Sequence, residues 1–169
     1  MPKRIAARLI ACEAALQGVK GYTMDQKEVL KNFYLFTGVS SNDLDALEAI
    51  TERRAYTAGE LLFGEGDIAD ALFIIEAGIV NIVPKGKEVV FATMGSGQGF
   101  GELTFFDRGT RPASASACER GYVLRIPFEQ FSKVLAERPD LALLVYRNAC
   151  TYFAKHFRAI GLDLNRRYL

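Results

Sequence analysis

A chain of 169 residues, half of them apolar and 24% charged, has room for one well-filled domain with flanking helices and not for two ordinary ones. Its formal net charge of +1 supplies no global field to recruit nucleic acid or an anionic membrane, and no run approaches the roughly 18 apolar residues of a membrane span. Three scattered cysteines (Cys12, Cys118, Cys150) and a single histidine, His156, exclude a disulfide framework, a zinc site and His-rich metal chemistry, and point to a reducing, cytoplasmic setting.

In residues 1–24, Lys3, Arg4, Arg8 and Lys20 oppose one acid, Glu13, while Ile5, Leu9, Cys12 and Leu16 recur at helical spacing. This reads as a basic amphipathic helix or extension, either docked on the domain or serving a targeting or membrane-surface role. Asp25 with Glu28 is a capping-box pattern that opens a short helix carrying Val29, Leu30 and Phe33. Ser40 with Asp43 caps a second, with Leu44, Leu47 and Ile50 on one face, so residues 25–52 are helical.

At Arg53 the period changes. Over 53–126 the expected strands are RAYTA, LLFG, ALFIIE, GIVNIVP, EVVFATM, ASASACE and YVLRI, separated by short Gly and Asp turns. Their close spacing predicts an antiparallel jelly roll or barrel, in a mainly β fold with flanking helices. Over 127–169 two C-terminal helices follow. Pro127 occupies the first helical position of one, with Phe128, Phe131, Val134 and Leu135 on one face, and Pro139 starts a longer one. The long helix carries a stripe of Leu141, Leu144, Val145, Ala149, Tyr152, Phe153, Phe157 and Ile160. That stripe packs on the barrel, pairs with a second copy in a homodimer, or does both. Cys118 and Cys150 read as small core residues, and His156 as a residue of the helix surface.

One long interruption breaks the strands: GSGQGFGELTFFDRGTRP, residues 95–112. Gly97, Gly99 and Gly101 allow positive φ and close approach of the backbone to a ligand. GELTFF has the makings of one helical turn whose first amides, at Leu103 and Thr104, lack intrahelical partners and suit an anion. No GK[ST] follows, so this is not a Walker loop, and the spacing does not fit GxGxxG. Arg111, nine residues after Glu102, can bring a forked guanidinium to a phosphate. Glu102, once ionised, only accepts hydrogen bonds and so matches a hydroxyl. One singly charged phosphate beside one free hydroxyl is the chemistry of a 3′,5′-cyclic nucleotide, whereas a triphosphate carries too much charge for a single arginine next to a carboxylate. The competing reading is a buried Glu102–Arg111 ion pair that merely closes the loop.

FGEL followed by R-x-A-S, with TAGELLFGEGDIADALFIIEAGIVNIV upstream, resembles the phosphate-binding cassette and turn-strand framework of cyclic nucleotide-binding domains, the family of catabolite-activator regulators, cyclic nucleotide-gated channels and kinase regulatory subunits. The resemblance runs from about Val29 to the end of the last helix and sets the cassette at 97–114. It implies cAMP or cGMP as ligand, with no further cofactor. It assigns Glu102 to the ribose 2′-hydroxyl, Arg111 to the phosphate, Gly101 and the amides of Leu103 and Thr104 to the sugar-phosphate, and Ser114 to the phosphate or base edge, in the cassette run that also holds Ala113. It implies an apolar lid over the base from the final helix, with Tyr152, Phe153 and Phe157 as candidates. Pro112 departs from the pattern: the family uses the amide after the arginine toward the phosphate, and proline has none. That loss weakens binding by roughly tenfold to a hundredfold and removes a clue to the base.

These readings predict a sensor that is not an enzyme and that repositions its C-terminal helices on binding cyclic nucleotide, signalling to an effector protein in trans. With nothing after the long helix in the sequence to read as a helix-turn-helix, no nucleic-acid partner is expected. The alternative is a degenerate domain of the same fold that acts as a dimerisation or interaction module without nucleotide. A metal-dependent jelly-roll enzyme lacks its histidine cluster.

Overall fold

The structure is a computed structural model that describes residues 25–84 and 90–168, with side chains through residue 159. The basic segment 1–24 and the side chain of Ile160 in the stripe lie outside that description. Helix α1 (Gln26–Asn32) is capped by Asp25, whose carboxylate accepts from the Lys27 amide. A 3-10 turn (Tyr34–Phe36) leads to α2 (Ser41–Ala49), where Ser40 Oγ accepts from the Asp43 amide and donates to the Asp43 carboxylate.

Eight strands follow: β1 (Glu52–Tyr56), β2 (Leu61–Phe63), β3 (Ala71–Ala77), β4 (Val80–Val83), β5 (Ala92–Met94), β6 (Gly99–Phe100), β7 (Ser114–Ala117) and β8 (Gly121–Pro127). They build two four-stranded antiparallel sheets, ordered β1-β8-β3-β6 and β2-β7-β4-β5, which is a jelly-roll arrangement. Helix α3 (Leu103–Asp107) interrupts the strands, and α4 (Phe128–Glu137) and α5 (Pro139–Tyr168) close the chain.

The apolar run ALFIIE is buried on both faces because two cores meet at β3. Leu72 and Ile74, with Leu124 and Ile126 of β8, face a helical core of Val29, Leu30, Phe33, Leu47, Phe131 and Val145. Ala71, Phe73 and Ile75 face the barrel interior with Val80, Phe100, Ala115 and Val123. The period of two thus divides one strand between a helix layer and a sheet layer.

Several expectations are corrected. Strand β6 lies inside the stretch read as loop, and there is no strand at Val90–Phe91 of EVVFATM. Gly99 and Phe100 pair with Ile74 and Phe73, because a short extended segment completes the free edge of β3. Pro127 is the last residue of β8 and the N-cap of α4, one place ahead of the first helical position. Cys150 is exposed on α5 and Cys118 is half-buried, so neither is a core residue. The stripe on α5 divides as well. Leu141, Val145 and Ala149 are buried and Tyr152 and Phe153 half-buried, whereas Phe157 is 79% exposed.

Candidate functional site

Gly99 and Gly101 make room for the protein's own side chains. A Cβ on Gly99 would strike the ring of Phe33, the residue that follows α1, so this close approach of β6 requires glycine. Gly101 has φ +78°, and a Cβ there would come within 2.6 Å of Arg111 Nη1. Gly97 also has positive φ and donates to the Ile75 carbonyl at 2.8 Å, which holds the turn to β3.

The Arg111 backbone bridges to the 64–67 turn: its amide donates to Asp67 O at 3.0 Å, and its carbonyl accepts from the Gly66 amide at 2.9 Å. Its side chain runs inward and is only 2% exposed. Nη1 donates to Gly101 O at 2.9 Å and to Thr104 Oγ1 at 3.2 Å, while Nη2 donates to Ala71 O at 2.6 Å. The guanidinium carbon lies 4.2 Å from the centre of the Phe63 ring, and Nη2 is 3.6 Å from an Asp70 oxygen. Nε is buried without a hydrogen-bond acceptor among the described residues. Burial pulls the guanidinium pKa down, and Asp70 and Asp67 oppose that shift.

Glu102 precedes α3 as its N-cap residue and is 8% exposed. Its Oε1 accepts from the Tyr34 hydroxyl at 3.3 Å. Burial pushes the carboxyl up, against the opposing pull of its own amide, Tyr34 and Arg111. Glu102 and Arg111 form no direct ion pair: the carboxylate turns to Tyr34 and the guanidinium to backbone carbonyls. This corrects the loop-closing ion-pair reading, because the two charged groups take their hydrogen bonds from different elements.

Helix α3 links this site to the C-terminal helices. Thr104 Oγ1 donates to Gly101 O at 2.9 Å, tying the first turn to the glycine. Leu103 is exposed, Pro112 is exposed and Ala113 is buried. Ser114 Oγ accepts from the Glu65 amide at 2.9 Å, so this hydroxyl already serves the 64–67 turn. Phe105 packs on Phe131 of α4 and Phe106 on Phe153 of α5, with ring centres 4.8 and 5.7 Å apart. Arg108 ends the helix in the left-handed region at φ 55°.

Of the lid candidates, Tyr152 stacks on Tyr34 with ring centres 3.8 Å apart. Phe153 is engaged by Phe106, and Phe157 stands in solvent. The structure therefore brings Tyr152 within one side chain of Glu102 and leaves Phe157 away from it. An open cleft of about 760 Å³ lies behind α3, bordered by Phe105, Arg108, Phe128, Leu135 and Tyr146. Thr104 is the one residue assigned to the ligand that reaches its wall; Arg111 and Glu102 do not.

Sequence reasoning missed Tyr34, Phe63 and Asp70. Nothing in the local pattern marks them: Tyr34 precedes the barrel by a whole helix, Phe63 reads as an ordinary strand residue, and Asp70 as a turn acid. Among the described residues there is no metal-binding cluster, and no helix is long and apolar enough to cross a membrane.

The cyclic nucleotide-binding domain family model matches residues 53–138, which include Glu102, Arg111 and all eight strands except the first residue of β1. The chain is 30% identical over 139 residues to the Cyclic AMP receptor protein of Thermus thermophilus, covering 80% of this chain and 62% of that one. The crystal structure of the Thermus thermophilus Catabolite Activator Protein superposes with a TM-score of 0.68 at 30% identity, over 78% of this chain and 62% of the other. The regulatory domain of Toxoplasma gondii PKA, solved with cAMP, shares the fold at a TM-score of 0.61 and 24% identity, over 69% and 47% of the two chains. The chain thus spans less than two thirds of the length of these relatives.

Proposed function

Because the chain belongs to the cyclic nucleotide-binding domain family, we propose that it is a regulatory module that binds cAMP or cGMP at the 97–114 cassette and passes the binding event to an effector protein in trans. The observation that carries this reading is the buried, acceptor-less Nε of Arg111. A buried donor on a cation is costly to leave unmade, and a phosphate oxygen is the acceptor that suits it best. Glu102 supplies the matching acceptor for a ribose hydroxyl, and Gly101 keeps the backbone low beside both. In this reading phosphate capture pulls Arg111 from the Gly101 and Ala71 carbonyls, and α3 moves with Thr104. Phe105 and Phe106 then carry the shift to α4 and α5. The change in helix population is bounded by the ligand's differential affinity for the two arrangements. No catalytic group is assigned, and the module works in the cytoplasm.

A homodimer through α5 belongs to the same proposal. Leu143, Tyr146, Cys150 and Phe157 are exposed and share one face of the helix, opposite the buried Leu141, Val145 and Ala149.

The test is calorimetric titration of cAMP and cGMP against wild type and Arg111→Lys, which keeps the charge and removes the fork. Heat from either nucleotide, with at least about tenfold weaker binding in the variant, is the expected result. No heat up to millimolar ligand with either nucleotide refutes the sensor and leaves the interaction module.

A further inference from the structure

The Glu102 carboxylate is already occupied. Tyr34, from the 3-10 turn ahead of the barrel, donates its hydroxyl to Oε1, and its ring is sandwiched near-parallel on Tyr152 of α5 at 3.8 Å with 19° between planes. Around this contact α5 is pinned to the same turn by Asn148, whose Nδ2 donates to Leu35 O at 3.0 Å and Thr37 O at 2.9 Å. Tyr152 leans in turn on His156, with ring centres 3.9 Å apart. One phenol therefore joins the binding carboxylate to the C-terminal helix.

From this juxtaposition we infer that Tyr34 is an internal competitor for the ligand's hydroxyl: its phenol holds Glu102 in the ligand-free protein, and a ribose hydroxyl that takes Glu102 releases Tyr34 and, through the stack on Tyr152, loosens α5. The inference rests on the cyclic nucleotide reading above. A buried, 8% exposed carboxylate needs a donor in either state, and a hydroxyl from the ligand is chemically equivalent to the phenol it replaces. Burial and the charge of Glu102 push the Tyr34 phenol up, which favours its protonated, donating form. The exchange is one O–H···O bond for another, and the stack transmits it because Tyr34 cannot move without uncovering the Tyr152 ring. Affinity and helix docking are thereby set against each other at a residue outside the cassette.

Tyr34→Phe keeps the stack and removes only the hydroxyl. Calorimetry with cAMP and cGMP should show the variant binding about tenfold more tightly than wild type, the effect of one lost hydrogen bond to a carboxylate in the free state. Equal or weaker binding by Tyr34→Phe overturns the competition while leaving nucleotide binding itself intact. A second measurement needs no ligand: amide hydrogen exchange over residues 148–156 of α5 in wild type, Tyr34→Phe, Glu102→Met (which removes the acceptor oxygen) and the double variant. Faster exchange in each single variant, with no further gain in the double, supports the Glu102–Tyr34–α5 link; unchanged or fully additive rates overturn it. If wild type binds neither nucleotide, the proposed function fails and the competition with it, and the exchange data then report on the link alone.

Discussion

Gly101 and Arg111 fit together as a backbone without a side chain and a side chain without solvent. The glycine carbonyl accepts from Nη1 at 2.9 Å, and the missing Cβ leaves the space that Nη1 fills. Gly101→Ala therefore meets two penalties at once, a left-handed φ of +78° and a 2.6 Å contact. The expected loss is about 1–3 kcal/mol of stability, seen as a lower midpoint in urea or guanidinium unfolding with unchanged slope. A variant as stable as wild type would show that Arg111 leaves its place at little cost.

Pro112 is exposed, and its backbone nitrogen cannot donate to a bound phosphate. Pro112→Ala should tighten cyclic nucleotide binding by roughly tenfold to a hundredfold if the restored amide reaches the phosphate. It should also cost about 0.4–1 kcal/mol of stability, because alanine frees the unfolded chain. Calorimetry and denaturant unfolding on one preparation separate the two effects. Unchanged affinity would mean that the amide at this position faces away from the ligand.

Glu102 gives stability a pH dependence of known sign. Its carboxyl is raised in the folded protein, chiefly by burial, from an ordinary value of about 4.3. The folded state then holds the proton more tightly than the unfolded one. The contribution is complete below the unfolded value and is lost as pH rises through the folded value. Tyr34 and Arg111 face the carboxyl and temper the shift without reversing it. Thermal unfolding of wild type and Glu102→Gln, scanned upward from about pH 4, should show wild type losing ground to the variant as pH rises. Parallel curves would contradict the burial account.

The exposed face of α5 predicts self-association. Leu143 is 70% exposed and Phe157 79%, and burying either in a partner is worth about 1.5–3 kcal/mol. Sedimentation velocity should show a concentration-dependent dimer in wild type. Leu143→Glu with Phe157→Glu should abolish it while leaving circular dichroism unchanged. A wild-type monomer at every concentration would refute the dimer.

The fold was legible because strand period and turn glycines are local signals. ALFIIE announces a strand, and Ser40 with Asp43 announces a helix start. The two-residue strand β6 was not legible, since GF carries no period and pairs only because β3 offers a free edge. Leu144 is half-buried and Phe157 exposed although both sit in one apolar stripe with the buried Val145, since helical spacing marks a face without saying which neighbour covers it.

What the sequence alone determined is the chemistry at the cassette: a carboxylate and a guanidinium nine residues apart, glycines around them, and a proline where an amide is expected. Side-chain type and spacing carry that information directly. Only the tertiary structure decided what those groups touch. Arg111 lies against Gly101, Ala71 and Phe63, and Glu102 faces Tyr34, sixty-eight positions earlier in the chain. Such partners are chosen by which surfaces the packed layers bring together, and a buried charge must find its hydrogen bonds among them.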